Sequence, residues 1–139
     1  MKIQIAESDA EILACFPVMV HLRELADAES FLERVRAQEG RGYRLAFLIH
    51  EGRPATVAGF RFGENLAWER HLYVDDFVSL PEVRSKGYGA ALLAWLADHA
   101  RSHGATELHL DSGTRRKDAH RFYEREGLEM TSLHFRRKL

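Results

Sequence analysis

Apolar and polar positions change period several times along this chain, and each change predicts an element. "KIQI" (residues 2–5) alternates and reads as a short strand. "SDAE" then sets Ser8 three residues before Glu11, a capping box opening a helix with Ile12, Leu13, Phe16 and Val20 among its apolar positions. Pro17 inside that run is expected to kink or divide it. A second helix over Asp27–Gln38 places Phe31, Leu32 and Val35 on one face and ends at Gly40. "YRLAFLIH" and "ATVAGFRF", separated by "EGRP", form a hairpin signature, and "HLYVDDFVSL" adds a third strand after the short connection "GENLAWER". The order then changes to a helix from about Tyr88 to Ser102, a strand "ELHLDS", a helix from about Lys117 to Arg125 and a strand "LEMTSLHF". This βαβαβ pattern favours parallel pairing at its first crossover. With no repeat, low-complexity tract or linker, residues 1–139 read as one α+β domain on a mixed central sheet flanked by helices.

Composition narrows the class. Apolar residues make up 45% and charged residues 29% of the 139, as in an ordinary globular domain. A formal net charge of −1 gives no basic field for nucleic acid or an anionic membrane. The closing "FRRKL" is too short to change that. The one cysteine, Cys15, has no intramolecular disulfide partner, which fits a reducing compartment. No run nears the ~20 apolar residues of a membrane span, and the N-terminus lacks a signal peptide's apolar middle. A cytoplasmic protein with neither nucleic acid nor membrane as partner is therefore expected. Eight histidines occur without an HExxH motif or a close His/Cys/carboxylate cluster, so no metal site is expected. Trp68 and Trp95 read as packing residues.

The stretch "RSKGYGAALL" (residues 84–93) sets two glycines before a leucine-rich helix. The first amides of a helix lack internal partners and sit at its positive end, and a glycine turn lets an anion approach them. Arg84 and Lys86 would add charge at the rim; a turn with solvated basic side chains is the alternative reading. The stretch is not GxGxxG, since Leu92 stands at the third glycine, and it lacks the GK[ST] of a phosphate-binding Walker loop.

It does resemble Arg-x-x-Gly-x-Gly, the acetyl-CoA signature of the GNAT superfamily of N-acyltransferases. "FVSLPEV" precedes it as in that family, and "AHRFYEREGL" (Ala119–Leu128) is similar to the family's second signature. The resemblance implies a GNAT-like fold, acetyl-CoA as co-substrate and direct acetyl transfer to an amine. It also implies that backbone groups of Val78, Ser79 and Leu80 hold the pantetheine arm and polarise the thioester; Ser79 stands where the family often has valine. Arg84, Ser85, Lys86, Gly87, Tyr88, Gly89 and Ala90 would then receive the diphosphate. Arg116 occupies a place where the family often has asparagine, so it would meet nucleotide phosphates or simply open a solvated helix. Tyr123 would be the general acid beside the departing thiolate, with packing on an amphipathic helix as the alternative.

Asp75 and Asp76 interrupt an apolar strand, where neighbouring residues face opposite ways. A partly buried carboxylate has a raised pKa and suits a general base for an ammonium substrate. Related amine acetyltransferases carry an acidic residue near the place of Asp76, which makes it the first choice; Asp75 competes, and structural hydrogen bonds are the alternative for both. By the same resemblance the acceptor meets segments around Val20–Phe31 and Asn65–His71, with His71, His109 and His120 as further candidates. The C-terminal stretch resembles the branch containing aminoalkylphosphonate and other small-amine acetyltransferases, which favours a small primary amine. A protein or peptide acetyltransferase, or a non-catalytic CoA-binding interaction module, are the alternatives, and a homodimer is compatible with either.

Overall fold

A computed structural model describes residues 2–139. Its strands are β1 (Lys2–Ile5), β2 (Arg44–His50), β3 (Arg53–Asn65), β4 (Glu69–Ser79) and β5 (Glu107–Leu110). Its helices are α1 (Asp9–Met19), α2 (Ala28–Glu39), α3 (Tyr88–Ser102) and α4 (Lys117–Arg125). The strands form one mixed sheet in the order β1-β2-β3-β4-β5, and the first four pair antiparallel in sequence. The chain divides into two compact units, the larger running through His109 and the smaller from Leu110 to Leu139.

In the larger unit, alternation along β2 and β3 feeds two apolar layers. Leu45, Phe47, Ala55 and Val57 join residues of α1 and α2 in one core. The intervening Ala46, Leu48, Ala58 and Phe60 are equally buried, and the Phe60 ring lies 5.6 Å from that of His99 on α3. Burial on both faces explains why "LAFLI" reads as a continuous apolar run.

Local signals set most boundaries. The Ser8 hydroxyl accepts from the Glu11 amide at 3.1 Å while the Glu11 carboxylate accepts from the Ser8 amide at 3.0 Å. Asp27 caps α2 by accepting from the Ser30 amide at 2.7 Å. At the end of α3, Gly104 is left-handed (φ 82°) and the Ala105 amide reaches back to Ala100 at 3.0 Å.

Four expectations change. Pro17 does not divide α1; it lies in the last turn, two residues before the helix ends. Gly40 ends α2 in right-handed geometry, and the left-handed residue is Gly42. The β3–β4 hairpin is tighter than expected, with three residues between strands and the Asn65 side chain accepting from the Trp68 amide at 2.6 Å. In the smaller unit "LEMTSLHF" forms no strand, and Met130, Leu133 and Phe135 are exposed. The apolar alternation slips by one residue between Met130 and Leu133, so no straight strand keeps these side chains on one face.

Candidate active site

Strand β4 carries one residue more than its neighbour. Val74 pairs with Phe60 and Asp76 with Gly59, so Asp75 has no partner on β3 and forms a bulge. Before the bulge, Leu72 and Val74 lie opposite Phe62 and Phe60, on the α3 side. After it, Asp76 and Val78 lie opposite Gly59 and Val57, on the side of α1 and α2. The two aspartates therefore do not face opposite ways as expected of a regular strand; both line one cavity.

Each carboxylate is held by its own partners. Asp76, 15% exposed, accepts from Arg23 Nε at 2.8 Å on Oδ1 and from the Tyr43 hydroxyl at 2.7 Å on Oδ2. Asp75 takes a forked contact from Arg61, closest at 2.7 Å. Burial, reinforced by the charge of Asp76, pushes the Tyr43 phenol far above its ordinary range, so Tyr43 stays protonated and donates to Asp76. The hydrogen bond from Arg61 to Asp75 likewise raises the Arg61 pKa.

Gly59 makes this possible. A Cβ at that position would stand 1.9 Å from the Tyr43 hydroxyl and 2.6 Å from Asp76 Oδ2. The glycine inside "ATVAGFRF" was the sequence signal for the bulge and close approach. Tyr43, Arg61 and Arg23 escaped sequence reading because their partners lie 33, 14 and 53 residues away.

The cavity holds about 390 Å³, at the small end of ligand pockets. Met19, Leu25, Phe31 and Val35 give it an apolar wall, and charged groups come from the α1–α2 connection, α2 and β4. The expected Val20–Phe31 segment contributes, but Asn65–His71 does not. Nor do the candidate histidines: His71 is buried with Nδ1 3.0 Å from the Glu69 carbonyl, and His109 stacks on Trp68 at 3.6 Å. His120 contacts the Gly113 carbonyl at 2.7 Å within the smaller unit. Trp68 and Trp95 pack on histidine rings, Trp95 on His99 at 4.8 Å.

At the far end of β4 the Leu80 amide donates to Ala55 at 2.9 Å. Antiparallel ladders alternate, so the Ser79 N–H points away from β3. The Ser79 hydroxyl meets that of Thr56 at 2.8 Å. After a short 3₁₀ turn (Pro81–Val83), Arg84 to Gly87 are exposed, with Ser85 and Gly87 left-handed (φ 67° and 83°). The first helical bond of α3 runs from the Ala91 amide to the Gly87 carbonyl at 3.1 Å, and no side chain caps the helix. The amides of Tyr88, Gly89 and Ala90 thus precede the first helical bond, without an acidic residue in the first turn. This turn, flanked by Arg84 and Lys86, fits a pyrophosphate. Tyr88 is fastened by its hydroxyl to His50 Nδ1 at 2.8 Å.

In the smaller unit Tyr123 lies on α4, 8% exposed, and burial raises its pKa above that of an ordinary phenol. Arg116 stands at the start of α4, with its amide on the Gly113 carbonyl at 3.0 Å. Burial pushes the Cys15 thiol up to about 12, which removes it as a nucleophile. Among the described residues no group of three His, Cys, Asp or Glu side chains is placed to hold a metal ion. No helix among them is long and apolar enough to cross a membrane.

Comparison with known proteins decides what frame this site belongs to. The model of the Acetyltransferase (GNAT) family matches residues 9–128. The chain belongs to the GNAT acetyltransferases. It is 34% identical over 132 residues to the uncharacterized N-acetyltransferase YhdJ of Bacillus subtilis (strain 168), covering 94% of this chain and 93% of that protein. Over 66 residues it is 39% identical to the aminoalkylphosphonate N-acetyltransferase of Salmonella typhimurium, covering 48% of this chain and 43% of that protein. Among solved structures, an acetyltransferase of Trypanosoma brucei superposes with a TM-score of 0.81 at 19% identity, covering 99% of both chains. A Bacillus halodurans protein described as a transcriptional regulator gives 0.86 at 15% identity, again over 99% of both. These two likenesses establish the GNAT fold. GNAT enzymes transfer an acetyl group to an amine and generally draw it from acetyl-CoA.

Proposed function

We propose that this GNAT protein acetylates the primary amine of a small molecule, with the acceptor in the cavity beneath β4. The observation that carries this reading is the bulge at Asp75, which turns two carboxylates into one small, partly apolar cavity. Its volume suits a small amine, and the partial match to an enzyme named for aminoalkylphosphonates supports the same class.

Bound acetyl-CoA would supply the acetyl group on a thioester. The Tyr88–Ala90 amides, with Arg84 and Lys86 beside them, would hold its pyrophosphate, and the Ser79 N–H would face the thioester oxygen. An ammonium acceptor, with an intrinsic pKa of about 10, must lose a proton before it attacks. Asp76 takes that proton on Oδ1, directly or through a water, while Tyr43 keeps Oδ2 in place. Asp75 is committed to Arg61 and acts on the shape of the site. By its place in the family's second signature, Tyr123 would donate a hydrogen bond to the thioester sulfur as charge develops there. A phenol at about 10 against a thiol at about 8.5 makes full proton transfer slightly uphill, and burial of Tyr123 accentuates this, so delivery would come late.

A thiol-release assay with acetyl-CoA against polyamines, aminophosphonates, amino acids, aminoglycosides and peptides tests the reading. Amine-dependent thiol release with a small acceptor is expected. Turnover confined to peptides would overturn it.

A further inference from the structure

Charged groups of both signs line the cavity wall. Arg23 and Arg34 are cationic there, and Glu24, Asp75 and Asp76 are anionic. Asp75 is neutralised by Arg61. Neither Arg34 nor Glu24 has a hydrogen-bond or ion-pair partner among the described residues, and both are exposed. Arg23 is half exposed and anchored by Nε on Asp76 Oδ1 and by Nη2 on the Asp75 carbonyl at 2.9 Å.

An acceptor ammonium that reaches Asp76 Oδ1 competes for the oxygen Arg23 holds. An ion pair with so exposed an arginine is weak enough to be exchanged. The exchange leaves Arg23 without its carboxylate and beside a second cation. With Arg34 already unpaired, an acceptor bearing only an ammonium leaves two guanidinium groups in the cavity against the single carboxylate of Glu24. An acceptor carrying its own anion removes the imbalance: its ammonium replaces Arg23 on Asp76, and its anion takes up the released guanidinium. Guanidinium forks match carboxylate and phosphonate oxygens. A second ammonium, as in a polyamine, would add to the excess.

We propose that the acceptor is a small zwitterionic amine, its ammonium on Asp76 and its carboxylate or phosphonate on Arg23 and Arg34. This rests on the acetyl-transfer reading of the cavity. The arginines are positioning residues, and their signature is a change in preference.

The test measures kcat/KM of the full chain for β-alanine, 2-aminoethylphosphonate and β-alaninamide, which keeps the ammonium but lacks the anion, in wild type and in Arg34→Gln, Arg34→Lys and Arg23→Gln. Wild type is expected to favour at least one of the two acidic amines over the amide by tenfold or more, mainly through KM; the separate arms identify which anion is read. Arg34→Gln is expected to shrink that preference at least fivefold, and Arg34→Lys to restore part of it. An equal rate on all three amines, a preference for the amide, or a preference that survives Gln at both arginines overturns this proposal alone. Absence of amine-dependent thiol release with every acceptor overturns the acetyl-transfer reading and this proposal with it.

Discussion

Gly59, Tyr43 and Asp76 form a unit in which the smallest residue decides the position of the other two. Gly59→Ala inserts a methyl group where the Tyr43 hydroxyl sits. It is expected to cost roughly 1–3 kcal/mol in a urea melt, by overpacking, and to lower turnover by moving Asp76. The two aspartates separate by function. Asp76→Asn is expected to lower kcat at least tenfold and remove the acid-side fall in kcat/KM, because the proton acceptor is gone. Asp75→Asn retains that limb, and pH–rate profiles of both decide. If both variants keep the wild-type limb, neither is the base. Tyr123→Phe is expected to lower kcat at least tenfold while calorimetry shows acetyl-CoA binding little changed; near-normal turnover would return Tyr123 to a packing role.

Single elements show what could be read before folding. The bounds of α3 and α4 and the Ser8–Glu11 box follow from residues within a few positions of one another and are as expected, whereas Asp27, expected as the first residue of α2, is instead its N-cap. Strand β4 was legible as a strand but not as a bulged one, since its faces are fixed by pairing with β3. The wall of the cavity beneath β4 was legible only in part for the same reason: residues 23 and 76 come together through the fold. At the start of α3, Gly87→Ala tests the turn as an element. A side chain at φ 83° costs about 1 kcal/mol or more and distorts the uncapped amides. Acetyl-CoA affinity is expected to fall at least fivefold by calorimetry, with the circular dichroism spectrum retained.

On the scale of the whole molecule, ligand binding to the folded state alone couples cofactor affinity to stability. At acetyl-CoA concentrations near a hundred times Kd the gain is about 2.7 kcal/mol, on the order of a 5–10 °C rise in Tm for a chain of this size. A thermal shift with acetyl-CoA checks this, and an unmoved Tm at millimolar ligand would contradict cofactor binding. The surplus residue of β4 also governs how the chain can change in length. Residues 72 and 74 face α3 whereas 76 and 78 face away from it, so the even-numbered positions swap sides across Asp75. Excising Asp75 alone would leave the parity of every other side chain in the strand intact. Loss of Phe77 instead would also remove the surplus residue, but regular alternation would then turn Asp76 towards the apolar layer beneath α3. Of the three residues between Val74 and Val78, Asp75 is thus the one whose deletion keeps both the apolar layers and the carboxylate that the proposed chemistry requires in place.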